Sequence, residues 1–455
     1  MILIDKYGTI VYNNTIYCYN YVFLYINQFD GSASLLEKFV INGGKPLSGK
    51  VRISGAKNAT VALIPAAVLA DGPVDLYGVP EISDVAALAV LLRELNCNVD
   101  ITGEHVRIDP TYMQDLPLVS EAVNKLRASY YFMGVLLGKY KKVQIRMPGG
   151  CYLGPRPIDL HLKGFEALGA KITYEDDTYT LEAEELLGAK IYLDFASVGA
   201  TINIMFAAVK AKGKTVIENA AKEPEIIDVA NLLTKMGARI RGAGTDTITI
   251  EGVEELHGTF HEVIPDRIEA GTFLVIAAAA GEKVVIQNII PQHLDALISK
   301  LKEMGIKMEI IADSIIVYGH EGKLKPVNVK TQVYPGFATD LQQPLTTLLT
   351  QADGLSSVTE TIYVERFKHC GQLNKMGAAI TVGDSSSLIA GPTPLHGARV
   401  MATDLRCGAA LVVAGLMAEG KTEITNVYHI DRGYDNIDHK LITLGAHIMR
   451  YEIDE

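Results

Sequence analysis

The segment IIDVANLLTKMGARIRGAGTDTITIEG, residues 226–252, contains the pattern that decides the fold. Its first part carries apolar residues at helical spacing and ends in Met236-Gly237. Glycine favours the left-handed backbone that ends a helix, and the two short apolar segments after it are typical of strands. The segment therefore predicts an amphipathic helix, a glycine turn and two strands.

The same turn recurs along the chain at a nearly constant interval. The copies are LNCNV at 95–99, which is degenerate, LGAKI at 168–172, MGARI at 236–240, MGIKM at 304–308, MGAAI at 376–380 and LGAHI at 444–448. Their first residues are 73, 68, 68, 72 and 68 positions apart. A fixed period of this length indicates one structural unit used six times.

Each unit also begins with an apolar helix and a short strand, as in VGATINIMFAAVKA followed by KTVIEN. A helix without a polar face is buried, so these helices are predicted to form the core. The order helix, strand, helix, strand, strand predicts an α/β fold of two domains with three units each. A cleft between two such domains is the default ligand site.

The predicted domains are residues 57–264, and residues 37–56 together with 265–455. The chain would cross between them at 54–58 and at 264–267, and the first strand, EKFVING, would pair within the C-terminal half. Residues 1–36 are crowded with Tyr, Asn and Ile and lack the repeat. We interpret them as a non-native or disordered extension; the alternative is a genuine N-terminal strand pair.

Composition excludes several classes of function. The chain has 455 residues and a net charge of −11, which argues against nucleic acid as the main partner but permits a small anionic ligand. Five scattered cysteines, without CxxC spacing, fit a reducing cytoplasm and indicate neither disulfides nor a metal site. Neither a membrane span nor a signal peptide is evident, and no nucleotide-binding glycine motif occurs.

One loop, PGGCYLGPRP at 148–157, has the composition of a functional lid. It holds three glycines and three prolines around Cys151, with Arg156 five residues later. A thiol near a fixed cation can act as a thiolate or as a proton donor. The alternative is a surface loop with an incidental cysteine.

Several cations are candidates for binding an anion. Lys57 and Asn58 precede the first buried helix, where a helix N-terminus and a lysine favour phosphate or carboxylate; a capping turn is the alternative. Arg127 and Arg406 enter apolar helices, where a charge needs an anion or an internal salt bridge. Arg432 lies in the loop YHIDRGYD, whose His429 is more simply structural.

Two acids, Asp340 and Asp404, share the local pattern Ala-Thr-Asp-Leu one unit apart. Each could cap a helix or accept a proton from a hydroxyl, and capping is the better expectation for either one. The residues alone thus indicate a two-domain α/β enzyme whose cleft gathers cations suited to phosphate and carboxylate. No cofactor is expected.

The chain resembles the UDP-N-acetylglucosamine 1-carboxyvinyltransferase family of enolpyruvyl transferases over residues 37–455. The motifs that carry the resemblance are SGAKNA (54–59), LRASYYFMG (126–134), PGGCYLGPRPIDLH (148–161), ENAAKEPEIID (218–228), PDRIEAGTF (265–273), PGFATDLQ (335–342), MATDLR (401–406) and YHIDRGY (428–434). It implies an inside-out α/β barrel, with helices inside and sheets outside. It also implies a transferase that moves the enolpyruvyl group of phosphoenolpyruvate to the 3′-hydroxyl of UDP-N-acetylglucosamine, the first committed step of peptidoglycan synthesis.

The resemblance also implies roles for individual residues. Cys151 matches the proton donor, Asp340 the acid that takes the hydroxyl proton, and Lys57, with Asn58, the phosphoenolpyruvate-binding lysine. Positions that match the nucleotide-sugar site are Arg127, Arg156, Pro157, Ile158, Asp159, Leu160, Ser197, Val198, Gly199 and Ile362. Asp404, Arg406 and Arg432 match the group that meets phosphoenolpyruvate from the second domain.

Two rival functions differ from this one. A transferase acting on shikimate 3-phosphate would share the repeats and the cations, although the cysteine loop argues against it. A silent paralogue that binds the nucleotide sugar and regulates a partner would lack turnover. The resemblance further predicts that the epoxide fosfomycin alkylates Cys151.

Overall fold

The computed structural model describes residues 3–4, 10–12, 15–16, 36–146, 158–319 and 322–453. Within them the chain forms six outer sheets, one for each predicted unit, and a small N-terminal sheet. Five outer sheets have four strands and one has three. Each four-stranded sheet joins one parallel pair to antiparallel neighbours, as Lys190–Tyr192 does with Lys214–Glu218.

The strands follow in their order across each sheet. The N-terminal sheet consists of Leu3–Ile4, Ile10–Tyr12 and Thr15–Ile16. Three sheets follow from the first part of the chain: Thr259–Glu262, Val74–Tyr77, His105–Asp109 and Asn98–Thr102; Lys171–Glu175, Thr178–Glu182 and Lys142–Arg146; and Lys190–Tyr192, Lys214–Glu218, Thr247–Glu251 and Arg239–Arg241. The last three sheets are Met308–Ile311, Ser314–Tyr318, Gly281–Gln287 and Leu47–Arg52; Asn328–Lys330, Gly354–Thr359, Ser386–Gly391 and Ala379–Val382; and Arg399–Met401, Lys421–Thr425, Leu36–Asn42 and His447–Ile453.

Six largely buried helices lie inside the sheets, and we call them the central helices. They are Lys57–Ala67, Tyr131–Tyr140, Val198–Ala208, Arg267–Ala280, Thr339–Leu349 and Leu405–Met417. The other helices are Ser83–Glu94, Glu121–Lys125, Asp159–Ala167, Pro224–Lys235, Asp295–Met304, Lys368–Lys375, Tyr428–Asp431 and Ile437–Thr443, with 3₁₀ turns at Arg127–Tyr130 and Pro291–Leu294. Buried helices within sheets confirm the predicted inside-out α/β barrel.

The repeated glycine has a conformational cause. In five units it follows the amphipathic helix with a positive φ, between 93° and 113°, at Gly169, Gly237, Gly305, Gly377 and Gly445. In the degenerate first copy Asn96 takes the same place at φ 59°. Glycine adopts this backbone without strain, and Asn is among the residues that tolerate it, so the six turns are equivalent.

Two separate clusters of buried apolar side chains form the interior. One is built between Ala56 and Val263, and the other from Phe39 to Ile53 and from Ile268 to Ile448. The chain passes between them twice, and the two passages pair where Gly55 opposes Pro265. We refer to the regions around these clusters as the first and second halves.

The first long strand closes a sheet of the second half. Leu36–Asn42 pairs with Lys421–Thr425 and His447–Ile453, so its predicted pairing is confirmed. Residues 3–16 contribute three short antiparallel strands, which resembles the alternative of an N-terminal strand pair. That residues 1–36 are a non-native extension stays a prediction.

Candidate active site

A cleft of about 600 Å³ lies between the two halves, and all six central helices begin at it. Residues from the first turn of a central helix, or from the residue or turn before it, line the cleft in every unit, for example Lys57, Ser197 and Thr339. A helix N-terminus presents unpaired N–H groups and a partial positive charge. Six of them around one cavity favour an anionic ligand before any side chain is counted.

One carboxylate in the cleft joins cations from both halves, and we call this group the Asp84 clamp. Asp84 contacts Lys57, with 3.0 Å between Oδ2 and Nζ, and Arg432, with 3.0 Å between Oδ1 and Nε. Burial alone would raise the pKa of Asp84, but the two cations outweigh it and lower that pKa. Lys57 and Arg432, distant in sequence, are therefore brought together as predicted cations of one site.

A second carboxylate is held within the second half, and we call this group the Asp340 clamp. Asp340 contacts Arg366 at 2.7 Å and Arg406 at 2.9 Å. Burial opposes the charge on Asp340, yet the two guanidiniums hold its pKa well below the usual range. Arg406 also lies over the ring of the buried Tyr434, 5.4 Å from its centroid.

The two Ala-Thr-Asp-Leu acids differ in what they bind. Asp404 is the N-cap of its central helix and accepts hydrogen bonds from the backbone N–H groups of Arg406 and Cys407. Asp340 lies one residue inside its helix, after Thr339, and its carboxylate bonds the arginines instead. Capping, which was the better expectation for either acid, holds for Asp404 and is wrong for Asp340.

The wall of the first half carries a neutral histidine that the sequence analysis did not select. Burial first, and then Arg127, lower the pKa of His161 to about 3. Its Nδ1 therefore accepts a hydrogen bond from the Asn203 amide, at 2.9 Å, and Nε2 carries the proton. A side chain at Gly199 would contact this ring and the Tyr130 hydroxyl, so glycine keeps the cleft open there.

Near the crossings a second cross-half ion pair lines the cleft. Arg267 contacts Glu225 in a bidentate arrangement, with distances of 3.0 and 3.4 Å, and also lies over the Tyr334 ring. Glu223, beside this pair, has a pKa that burial raises. Asp266 caps the helix Arg267–Ala280 and accepts the Lys57 backbone N–H at 2.9 Å.

The predicted site residues are distributed as follows. Those that line the cleft are Lys57, Asn58, Arg127, Ile158, Ser197, Val198, Gly199, Asp340, Ile362, Asp404, Arg406 and Arg432. Asp159 and Leu160 begin the helix Asp159–Ala167 next to lining residue Ile158. Cys151, Arg156 and Pro157 lie outside the described residues.

Several residues of the cleft were not selected from the sequence. They are Asp84, Tyr130, His161, Glu223, Glu225, Arg267 and Arg366. An unpaired charge in an otherwise apolar segment was the signal used for Arg127 and Arg406. Arg267 carries the same signal at the start of an apolar helix and could have been found by it, whereas Asp84 and Arg366 lie in ordinary polar surroundings. His429 lies against the Tyr428 ring, at 4.1 Å between centroids, and is not among the described residues that line the cleft.

The described part of the chain has neither a cluster of metal ligands nor a membrane-spanning helix. It contains no group of three or more His, Cys, Asp or Glu side chains that could hold a metal ion. Among its helices, none combines the length and the apolar character needed to cross a bilayer.

Comparison with known proteins agrees with the fold and the cleft. The family model of EPSP synthase (3-phosphoshikimate 1-carboxyvinyltransferase) matches residues 41–441. The enolpyruvyl transferase NikO from Streptomyces tendae superposes with a TM-score of 0.85 at 26% identity, over 92% of this chain and 100% of that one. EPSP synthase from Acinetobacter baumannii, at 19% identity and a TM-score of 0.71 over 92% and 100% of the two chains, shares the fold.

Fold and cleft thus define an enolpyruvyl transferase. UDP-N-acetylglucosamine 1-carboxyvinyltransferase 2 of Listeria monocytogenes is 60% identical over 416 residues, 91% of this chain and 98% of that protein. The protein of the same name in Bacillus subtilis is 59% identical over 415 residues, 91% and 97% of the two chains. The chain therefore belongs to the UDP-N-acetylglucosamine 1-carboxyvinyltransferase family.

Proposed function

We propose that this transferase moves the enolpyruvyl group of phosphoenolpyruvate to the 3′-hydroxyl of UDP-N-acetylglucosamine and releases inorganic phosphate. The observation that carries the proposal is the identity of about three residues in five to proteins with this name, over almost their full length. The product would enter peptidoglycan synthesis in the cytoplasm. Both substrates are small anions. Neither nucleic acid nor a membrane takes part in the proposed reaction.

The cations of the cleft support binding of phosphoenolpyruvate. Lys57 and Arg432 present an ammonium and a guanidinium 3.0 Å from one shared carboxylate. Charge-assisted hydrogen bonds from such groups suit phosphate and carboxylate. Arg406, at the N-terminus of a central helix in the second half, is the third cation of this group. We assign Lys57, Arg406 and Arg432, with Asn58 and Asp404 beside them, to this substrate.

The proposed reaction begins with protonation of phosphoenolpyruvate. The Cys151 thiol gives a proton to the methylene carbon of phosphoenolpyruvate, which makes the neighbouring carbon cationic. The 3′-hydroxyl oxygen attacks that carbon, and Asp340 accepts the hydroxyl proton. In the resulting tetrahedral intermediate the Cys151 thiolate takes back a methyl proton while the C–O bond to phosphate breaks, which restores the double bond. The phosphate leaves with the proton that Asp340 had accepted. The cations around the cleft offset the charge that develops on phosphate.

The low pKa of Asp340 limits when it can act as a base. Two arginines stabilise its ionised form, so it is a weak proton acceptor. A sugar hydroxyl keeps its proton until the oxygen begins to bond to the cationic carbon, which makes the proton more acidic. Asp340 therefore takes the proton during attack, which confines the reaction to the activated substrate.

Residues of the first half are assigned to the nucleotide sugar. Ser197, Val198 and Gly199 begin a central helix whose N–H groups face the cleft, which suits the diphosphate. Arg127 lies on the same wall, and Ile362 faces it from the second half. We assign Arg156, Pro157, Ile158, Asp159 and Leu160 to the same ligand, by the resemblance alone for Arg156 and Pro157.

Phosphate release tests the proposal directly. We expect wild-type protein to release phosphate from phosphoenolpyruvate only when UDP-N-acetylglucosamine is present. Release with shikimate 3-phosphate instead would establish the rival acceptor. Absence of release with either acceptor, from protein whose melting temperature rises with the nucleotide sugar, would indicate a silent binder.

A further inference from the structure

The carboxylate of Asp84 stands where a substrate anion would be expected. It lies in the first turn of the helix Ser83–Glu94, and its side chain is only 7% exposed. Lys57 comes from the first half, and Arg432, which lies 348 residues after Asp84 in the chain, comes from the second. Two cations from opposite walls of an anion-binding cleft are thus already oriented by a protein anion.

We propose, on the basis of the proposed function, that Asp84 is a positioning residue that moderates phosphate binding. It holds Lys57 and Arg432 at the position where they meet the phosphate group of phosphoenolpyruvate. Its negative charge also offsets part of their positive charge. Inorganic phosphate, the product, is therefore bound weakly enough to leave.

Asp84 can orient Lys57 and Arg432 because both side chains are flexible. Lysine and arginine side chains each lose considerable rotamer freedom when they bind a ligand. A buried carboxylate that already contacts both removes much of that cost before the substrate arrives. Catalytic cations held in one geometry act on the transition state without reorganisation.

Asp84 can weaken phosphate binding because its carboxylate is negatively charged. A dianionic phosphate between an unshielded ammonium and guanidinium in a poorly hydrated cleft would be held strongly. The Asp84 carboxylate repels that phosphate and competes for the same N–H donors. Strong product binding slows turnover, so a built-in competitor favours release.

The test uses the full chain with two neutral variants, Asp84→Asn and Asp84→Ser, and one that keeps the charge, Asp84→Glu. The control is Asp75→Asn, because Asp75 also joins two basic groups, His105 and Arg107, but within the first half and away from the lining of the cleft. Binding of inorganic phosphate to the substrate-free protein is measured by calorimetry. The kcat and the KM for phosphoenolpyruvate are measured by phosphate release.

We expect the neutral variants to bind inorganic phosphate about tenfold more tightly than wild type, because removal of one repulsive charge outweighs the lost orientation of Lys57 and Arg432. Their kcat should fall about tenfold or more while the KM for phosphoenolpyruvate stays level or falls, because bound phosphate leaves slowly. Asp84→Glu should stay within about threefold of wild type in phosphate affinity, and Asp75→Asn should match wild type.

Phosphate affinity that is unchanged or weaker in both neutral variants would overturn the proposal. So would a fall in kcat accompanied by a rise in KM and unchanged phosphate affinity, which is the pattern of structural damage. Asp84→Ser supplies the result if Asp84→Asn does not fold. Phosphate binding needs no turnover, so a wild type without activity would defeat the proposed reaction while tighter phosphate binding would still support the role of Asp84.

Discussion

The Asp84 clamp and the Asp340 clamp use the same chemistry in different places. Each holds one carboxylate between two cations at about 3 Å, and in each the cations outweigh burial and lower the carboxylate pKa. The Asp340 clamp is complete within the second half, whereas the Asp84 clamp exists only where the halves meet. The Asp340 clamp therefore suits the fixed proton acceptor that we propose. The Asp84 clamp forms only when the two halves lie together around the cleft.

A third buried carboxylate, Glu269, differs from Asp84 and Asp340 in its partners. Among the described residues its cationic partner is Lys440, at 2.5 Å, and it also accepts the Ser54 backbone N–H. Burial exceeds the effect of that single ammonium and raises the pKa of Glu269 to about 7. The balance between burial and neighbouring charges thus sets the direction of each carboxylate pKa shift.

Removing the acceptor from the Asp340 clamp should have the largest effect. We expect Asp340→Ala to lower kcat by about 10³-fold, because it removes the proposed base and leaves Arg366 and Arg406 without their shared anion. Phosphate release is the measurement, and Asp353→Ala, at an exposed pair with Lys323, is the control. A loss smaller than tenfold would remove Asp340 from the chemistry.

Removal of the proposed proton donor, Cys151, should have the next largest effect. Cys151→Ala is expected to lower sugar-dependent phosphate release by about 10²-fold or more, whereas Cys97→Ala, a buried thiol of the first half, should leave it near wild type. Intact-mass analysis should find one fosfomycin adduct on wild type with the nucleotide sugar present and none on Cys151→Ala. Release that survives in Cys151→Ala would keep the reaction and exclude the cysteine from it.

The cross-half ion pair of Arg267 with Glu225 should contribute to the stability of the protein. Arg267→Gln should lower the free energy of unfolding by about 3 kcal/mol, because it leaves the buried Glu225 without its cation. Lys163→Gln, at an exposed pair with Asp194, should change it by less than about 1 kcal/mol. The denaturant midpoint measures both, and equal shifts would show that the cross-half pair contributes no more than a surface pair.

The last effect, which should not exceed that of Arg267→Gln, is the pH dependence of stability. The folded-state pKa of Glu269, about 7, lies above its ordinary value of 4.5, so folded protein binds more protons between these values. Its contribution to stability is therefore complete below pH 4.5 and is lost as pH rises toward 7, by up to about 3 kcal/mol. Glu269→Gln should flatten this part of the profile of melting temperature against pH; an identical slope in both proteins would contradict the assignment.

Much of the fold was predictable because its signal is local and repeated. Gly237 and its counterparts occupy a left-handed backbone that few other residues adopt easily, so the period is visible in one sequence. The apolar composition of the central helices likewise predicts burial. The site was predicted in part by the same kind of signal, since Lys57, Arg127 and Arg406 stand out in apolar or glycine-rich surroundings.

Other parts of the site had no such signal. Asp84 follows an ordinary serine at a helix start, and Arg366 lies in a mixed polar segment, so neither is distinguished locally. The shared pattern around Asp340 and Asp404 was misleading, because one helix begins at the Thr of the pattern and the other two residues later, at the Leu. This difference places the Asp404 carboxylate at a helix N-terminus and the Asp340 carboxylate against two arginines.

By itself, the sequence determined six repeated units, their buried helices, the pairing of the first strand and a set of cations suited to an anionic substrate. Backbone conformation and apolar spacing act over a few residues, so they can be read along the chain. Only the tertiary structure decided which charges meet. An ion pair such as Asp84 with Arg432 forms between residues 348 apart, and its strength depends on distance and burial that exist only once the two halves have folded together.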